Sequence, residues 1–372
     1  MATKGLEDVV AAQTSISDID GKMGRLFYVG YDIHDLAEHS TFEECVFLLH
    51  NLRLPTRGEL DKLNGQLVEE RAPSKWIEEL LPVLSENASP MSMLRTTVSA
   101  MSAYDPDGWD GSDEANYRKS LRLIARMPTL IASYDRIRNG IEPIPPNPEL
   151  SHAANFLFML SGDEPDPADA RMLDTCLVLH ADHTMNASTF TARVVASTLA
   201  DMHSAITAAI ASLKGPLHGG ANERVMEMLE EIGKPERAEE FIKQKLAKRE
   251  KIMGFGHRVY KTEDPRATHL RRMSREIGER KGDLRWHEIS IAVEQTVMHE
   301  KGLYPNVDFF AASVYHSLGL PTDLFTPTFA ASRVVGWSAH VREQQNDNRI
   351  IRPESDYIGP RGRTWHPIEE RG

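Results

Sequence analysis

The chain has 372 residues, 41% of them hydrophobic and 26% charged, enough for one large domain or two ordinary ones around a sizeable core. Lys plus Arg number 43 against 55 Asp plus Glu, a formal net charge of −12, which argues against a general nucleic-acid binder but not against a small anionic ligand held by a few local cations. The 2 cysteines, Cys45 and Cys176, stand far apart in apolar helical contexts, so no disulfide framework or cysteine metal site is expected, as suits a reducing cytoplasm.

The first residues, Met1 to Asp8, are acidic and lack an apolar segment, so no secretory signal is expected. No apolar run reaches the ~20 residues a membrane span needs. Leu26-Phe27-Tyr28-Val29, between Gly24 and Gly30, predicts a short hairpin arm. Thr41-Phe42-Glu43-Glu44 reads as a capping box, opening a helix whose stripe of Phe42, Cys45, Val46, Leu48 and Leu49 ends before Pro55. Helical patterns follow over 58–70, 91–103, 114–139 and 150–160, with a stiff proline-rich connector at 143–148. Asp166-Pro167 opens the next helix with an acidic N-cap and proline in first position. A long pattern over 186–213 ends at the Gly215-Pro216 break. Further helices are expected over 222–232, 237–251, 264–280, 286–301, 308–318 and 328–345, and an extended piece over 349–352. There is no regular repeat. The strongly charged stretch 222–281 suggests a smaller, wetter part, so the expectation is a mainly α chain in two unequal parts.

Histidine is abundant, at 15 residues, and three positions stand where a ring could face a ligand. His218, in Gly215-Pro216-Leu217-His218-Gly219-Gly220, lies just ahead of a helix expected to be capped by Asn222. The positive end of that helix favours a neutral imidazole, which can still donate to a developing oxyanion; read alone, the segment is also a turn with an exposed His. His257, in Met253-Gly254-Phe255-Gly256-His257-Arg258, follows two glycines that let backbone approach a ligand, with Arg258, Lys261 and Arg266 close behind to receive an anion; the bland reading is an interhelical loop. His180 and His183, with Asp182 between them, share a spacing that could serve a metal, but no third ligand is assignable and HExxH is absent. A polar turn between helices fits better.

Asp308, set between apolar residues in Asn306-Val307-Asp308-Phe309-Phe310, reads structurally as an N-cap and functionally as a base made stronger by desolvation. Arg333 is a lone cation within an apolar helical run, and Arg352 is similarly framed; guanidinium suits a carboxylate in a bidentate fork. Together these residues suit a polycarboxylate ligand and proton transfer.

GPLHGGANE, MGFGHRVYKTEDPR, LHADHTMNASTF, YPNVDFF and FAASRVVGWSAH together resemble the motifs of the citrate synthase family. The similarity runs from about Tyr28 to Gly359 and points to the short bacterial and archaeal homodimeric type. It implies the two-domain helical fold of that family, with a large domain of residues 1–218 and 314–372, a small domain of 219–313, and the active site in the cleft between them. The implied reaction condenses acetyl-CoA with oxaloacetate and water to citrate and CoA, a tricarboxylic acid cycle step, without metal or other cofactor. By motif position, Asp308 would take a proton from the acetyl methyl, His218 would hydrogen-bond the thioester oxygen, and His257 would polarise and protonate the oxaloacetate carbonyl. His183, Arg266, Arg333 and Arg352 would hold the oxaloacetate carboxylates, with Arg352 reaching in from the partner subunit. CoA would lie along Met253, Gly254, Phe255 and Gly256, with Lys261 near its phosphates. The helices at 91–103 and 186–213, rich in small side chains, are the expected dimer contacts. No nucleic acid, membrane or metal partner is expected, and the location is expected to be cytoplasmic. The alternatives are a 2-methylcitrate synthase using propionyl-CoA, a non-catalytic helical scaffold of the same fold and, more remotely, a metal hydrolase built on His180 and His183.

Overall fold

A computed structural model describes residues 4–6 and 9–371. Its one sheet among the described residues is a small antiparallel meander of β1 (Ser17–Asp20), β2 (Arg25–Tyr28) and β3 (Tyr31–Asp32), with Ser17 opposite Tyr28 and Asp20 opposite Arg25. The expected arm at 26–29 is therefore β2, and its partner β1 went unread because Ser-Asp-Ile-Asp carries almost no β signal.

The remainder is helical. α1 (Ile33–His39) and α2 (Phe42–Asn51) come first, and the capping box of α2 is formed: the Glu44 amide donates to Thr41 Oγ1 (3.2 Å) and the Thr41 amide to Glu44 Oε2 (2.9 Å). Next come α3 (Arg57–Glu70), α4 (Lys75–Ser85), α5 (Pro90–Met101), α6 (Asp113–Arg138), α7 (His152–Ser161) and α8 (Pro167–His180). α4 escaped the sequence reading because Pro82, inside it, reads as a breaker. The pattern read as one helix over 186–213 is two, α9 (Ala187–Ala196) and α10 (Met202–Leu213). Leu199 takes a left-handed backbone conformation between them (φ 63°) and Asp201 Oδ1 caps the second (3.0 Å from the Ser204 amide), a break announced by neither Gly nor Pro.

α11 (Ala221–Ile232), α12 (Ala238–Ala247), α13 (Pro265–Lys281), α14 (Arg285–Lys301) and α15 (Val307–Ser317) pack on one another as a group. α11 is capped by the backbone of Gly220, not by Asn222, and α15 by Asn306, not by Asp308. The last helix, α16 (Phe325–Asn346), is lined with small and apolar residues around its circumference and is accordingly buried on nearly every side, against α6, α8, α9 and α10. Beyond it, 347–371 runs without strand pairing, so the extended piece expected at 349–352 joins no sheet. It is tied to the α9–α10 break, where the Ile351 amide donates to Ser197 Oγ (3.0 Å).

Cys45 and Cys176 are both fully buried and free, and burial pushes their thiol pKa values well above the ordinary range, so the thiols are weaker acids than usual. No described helix is long and apolar enough to cross a membrane.

Candidate active site

Three loop segments and two helices converge. The turn after α8 carries His183, the turn after α10 carries His218, and the loop before α13 carries His257, while Asp308 sits in the first turn of α15 and Arg333 at the middle of α16.

His218 packs beside the start of α9. The Ser188 amide donates to its Nε2 (3.2 Å), and Ser188 Oγ lies 2.7 Å from the same atom. A backbone N–H can only donate, so Nε2 holds a lone pair and the ring proton sits on Nδ1. Burial, then the charge of Arg333, lowers the imidazole pKa to about 4. The helix end that touches the ring thus belongs to α9, not to the helix that follows His218 in sequence.

His257 is held the opposite way round. Its Nδ1 accepts from the amides of Val259 (3.0 Å) and Tyr260 (3.1 Å), which leaves the proton on Nε2. Burial, with Arg266 next, again lowers the pKa to about 4. His183, buried, lies with its ring centroid 5.2 Å from that of His257, and its Nε2 is 3.2 Å from the Tyr260 hydroxyl. All three imidazoles are neutral at pH 7, two of them with a defined N–H donor.

Among the described residues, no side-chain cation pairs with Asp308. Its amide is capped by Asn306 Oδ1 (3.0 Å), which leaves the carboxylate unused by the helix start, and burial raises its pKa from 3.8 to about 6. The two buried arginines differ. Arg266 is already paired, with Nε and Nη2 on the two oxygens of Asp264 at 2.9 and 2.7 Å. Arg333 gives Nε to the His180 carbonyl (2.6 Å) and lies over the Phe329 ring, and among the described residues no carboxylate comes within ion-pair distance of it. Its charge acts on His180, Asp182, His183, His218 and Asp308, and burial lowers its own pKa to about 10. A desolvated guanidinium lacking a carboxylate is arranged for an anionic ligand.

The Met253–Gly256 turn is stitched to the approach of α15. The Gly256 amide donates to the Tyr304 carbonyl and the Asn306 amide to the Gly254 carbonyl, both at 2.9 Å. Gly254 (φ 80°) and Gly256 (φ 76°) are left-handed, and a Cβ on Gly254 would lie 2.9 Å from that of Phe309. A recess of about 230 Å³ is lined by Gly256, His257, Tyr260, Lys261 and the 302–305 segment. Lys261 is exposed at its edge. Arg352 is exposed in the C-terminal segment and, among the described residues, has no side-chain partner.

Sequence reading did not single out Ser188, Tyr260 or Asp264 as parts of the site. Asp264 was legible as a helix start, and its bidentate hold on Arg266 two residues on follows from that placement; Ser188 carries no comparable signal. The His180–His183 pair does not converge: His180 Nδ1 lies 2.9 Å from the Tyr315 hydroxyl while His183 faces Tyr260, and among the described residues no three His, Cys, Asp or Glu side chains gather as a metal site would require.

Comparison with known proteins follows the same lines. The family model for the citrate synthase C-terminal domain matches residues 5–354. Citrate synthase 2 of Bacillus subtilis is 53% identical over 371 residues, covering 100% of this chain and 99% of that protein, and the citrate synthase of Haloferax volcanii is 48% identical, covering 99% and 98%. Among solved structures, the ternary complex of the Thermoplasma acidophilum citrate synthase with carboxymethyl coenzyme A and oxaloacetate superposes with a TM-score of 0.94 at 35% identity, over 100% of each chain.

Proposed function

The chain belongs to the citrate synthase family, and on that premise we propose how its own residues divide the work. The enzyme is an acyltransferase that condenses acetyl-CoA with oxaloacetate and water to citrate and CoA. A thioester methyl is a weak carbon acid, so its proton leaves only if a base and an oxyanion partner act together. Asp308 is the base, suited by a pKa of about 6 to be ionised at neutral pH yet a better acceptor than an ordinary carboxylate. His218 donates its Nδ1–H to the thioester oxygen as the enol or enolate forms. The new carbon nucleophile attacks the oxaloacetate ketone, whose oxygen is polarised and then protonated by the Nε2–H of His257. Water then cleaves the citryl thioester. His183, Arg266 and Arg333 hold the oxaloacetate carboxylates on one chain, and Arg352 completes the set across a homodimer made by the 91–103 and 186–213 regions.

The observation that carries this reading is the pair of oppositely oriented neutral imidazoles in a site that also holds a desolvated carboxylate: both donors needed by the two carbonyl oxygens are fixed in advance by backbone amides. No step draws on a metal. CoA is placed along Met253–Gly256, with Lys261 near its phosphates. We place the domain boundary near His218 and Ser313, so that closing the cleft excludes water during enolisation, and assign the enzyme to the cytoplasm and the tricarboxylic acid cycle.

The test is release of CoA thiol by the purified protein with oxaloacetate and either acetyl-CoA or propionyl-CoA. A pocket discriminates one methylene by only about 1–3 kcal/mol, so some propionyl-CoA turnover is expected. A higher kcat/KM for propionyl-CoA would move the assignment to 2-methylcitrate, and no thiol release with either would leave a scaffold.

A further inference from the structure

The β1–β2 hairpin lies outside the residue set assigned above, yet each of its ends holds one of the site's histidine loops. At the open end, Ser17 and Tyr28 stand opposite each other. Ser17 Oγ donates to the Asp182 carboxylate and accepts from the Thr184 amide (3.2 Å). The fully buried Tyr28 hydroxyl donates to the Asp182 carbonyl (2.9 Å) and accepts from the Asp182 amide (3.1 Å). These bonds clamp both sides of His183. At the tip, four residues and about 14 Å away at ~3.4 Å per residue of antiparallel strand, the Gly21 carbonyl accepts from the Lys261 amide (2.8 Å). A Cβ on Gly21 would lie 2.5 Å from the Val259 carbonyl oxygen, and one on Gly24, which is left-handed at φ 65°, 2.9 Å from that of Glu263. The tip therefore docks backbone to backbone on the segment whose Val259 and Tyr260 amides orient His257 and whose Tyr260 hydroxyl meets His183.

We propose that this hairpin is a positioning strut for the reaction: it sets the spacing and orientation of His183 relative to His257, with Gly21 and Tyr28 as its working residues. The inference rests on the citrate-forming reading of the site, but the geometry it explains does not. A short sheet is stiffer than the loops it touches, because its ladder must break before its two ends move independently. With His183 and His257 on different loops 74 residues apart in the chain (257 − 183), a common brace is what fixes one ring against the other. Misplacement by about 1 Å costs on the order of 100-fold in rate, so the brace matters even though it meets no substrate.

The experiment compares wild type, Gly21→Ala, Tyr28→Phe, their double variant and Lys22→Ala, whose exposed side chain at the turn serves as control. Gly21→Ala must push the Val259 segment outward. We expect kcat to fall about 10- to 100-fold with a melting temperature within about 2 °C of wild type. We also expect the His257 ring to titrate higher, because Nδ1 loses the amide donors that favour its neutral form. Its other neighbours, His183, Tyr260, Lys261, Asp264 and Arg266, are unchanged in kind. Tyr28→Phe should raise the oxaloacetate KM several-fold, and the double variant should lose less than the product of the two single losses, since both act on one spacing. NMR titration of His257 in labelled protein reads the strut without turnover, so an inactive wild type would sink the assigned reaction and leave the strut to be judged on that titration. Wild-type kinetics and an unmoved His257 titration in folded Gly21→Ala would overturn the proposal; if that variant does not fold, wild-type KM in Tyr28→Phe overturns it instead.

Discussion

Asp308→Asn removes the proposed base while keeping its shape, and it should separate rate, binding and stability. Loss of a general base costs about 100- to 10,000-fold in rate, so thiol release from acetyl-CoA should nearly vanish. Oxaloacetate affinity, measured by calorimetry, should stay near wild type, because the proposed holders of the carboxylates are His183 and the arginines. Stability should move the other way. The carboxyl titrates at about 6 when folded against an ordinary 3.8, so the folded state binds the proton more tightly, and ionisation opposes folding increasingly from about pH 4 and in full above pH 6. At about 1.4 kcal/mol per pH unit between those values, the ionised base costs the native state up to about 3 kcal/mol at pH 8. That penalty is absent below pH 4, where both states are protonated. The neutral Asn variant should therefore melt at a higher temperature than wild type at pH 8, with the difference closing as pH falls through 6 towards 4. Wild-type kcat/KM should show an acid limb near pH 6 for the same reason. A folded Asp308→Asn protein that loses oxaloacetate affinity, or one whose melting temperature shows no pH-dependent gain, would refute the picture of a desolvated base.

Three further outcomes are expected. Ser188→Ala keeps the backbone donor to His218 but removes the hydroxyl that contacts Nε2 and accepts from Trp337 Nε1 (3.0 Å); a lost hydrogen bond of about 0.5–1.5 kcal/mol should lower kcat about 2- to 10-fold with little change in oxaloacetate KM. Co-expressed Asp308→Asn and Arg352→Gln chains should recover activity at low oxaloacetate that neither homodimer has, since a symmetric dimer then assembles one intact site from both chains; no recovery would place Arg352 in its own chain's site. Exhaustive chelation should leave the thiol-release rate unchanged, and a loss restored by a divalent metal would reinstate a metal role for His180 and His183.

The local grammar of the chain was largely readable. Capping residues, proline at first helical positions and apolar periodicity located most helices, because those signals act within a few residues. Readings failed where the cause lay elsewhere: Leu199 adopts its left-handed conformation without a glycine to mark it, and the Asn306 side chain claims the cap that Asp308 could have supplied. In the site, the motif residues were visible because each loop carries its own signature. The orientation of those residues was not. Ser188 reaches His218 across 30 residues and Ser17 reaches Asp182 across 165, and a single sequence contains no spacing rule for contacts of that range.

The two buried cysteines have a practical meaning for an enzyme whose product is itself a thiol. Neither Cys45 nor Cys176 exposes sulfur or favours a thiolate, so neither can accept the acyl group from a thioester or form a mixed disulfide with released CoA. A thiol reagent added during turnover reads product alone, without an enzyme background. The same silence makes the chain ready for single-site labelling: one cysteine introduced at Leu217, 93% exposed beside His218, would be the sole reactive sulfur, and a fluorophore there would test the proposed cleft closure on oxaloacetate binding in real time.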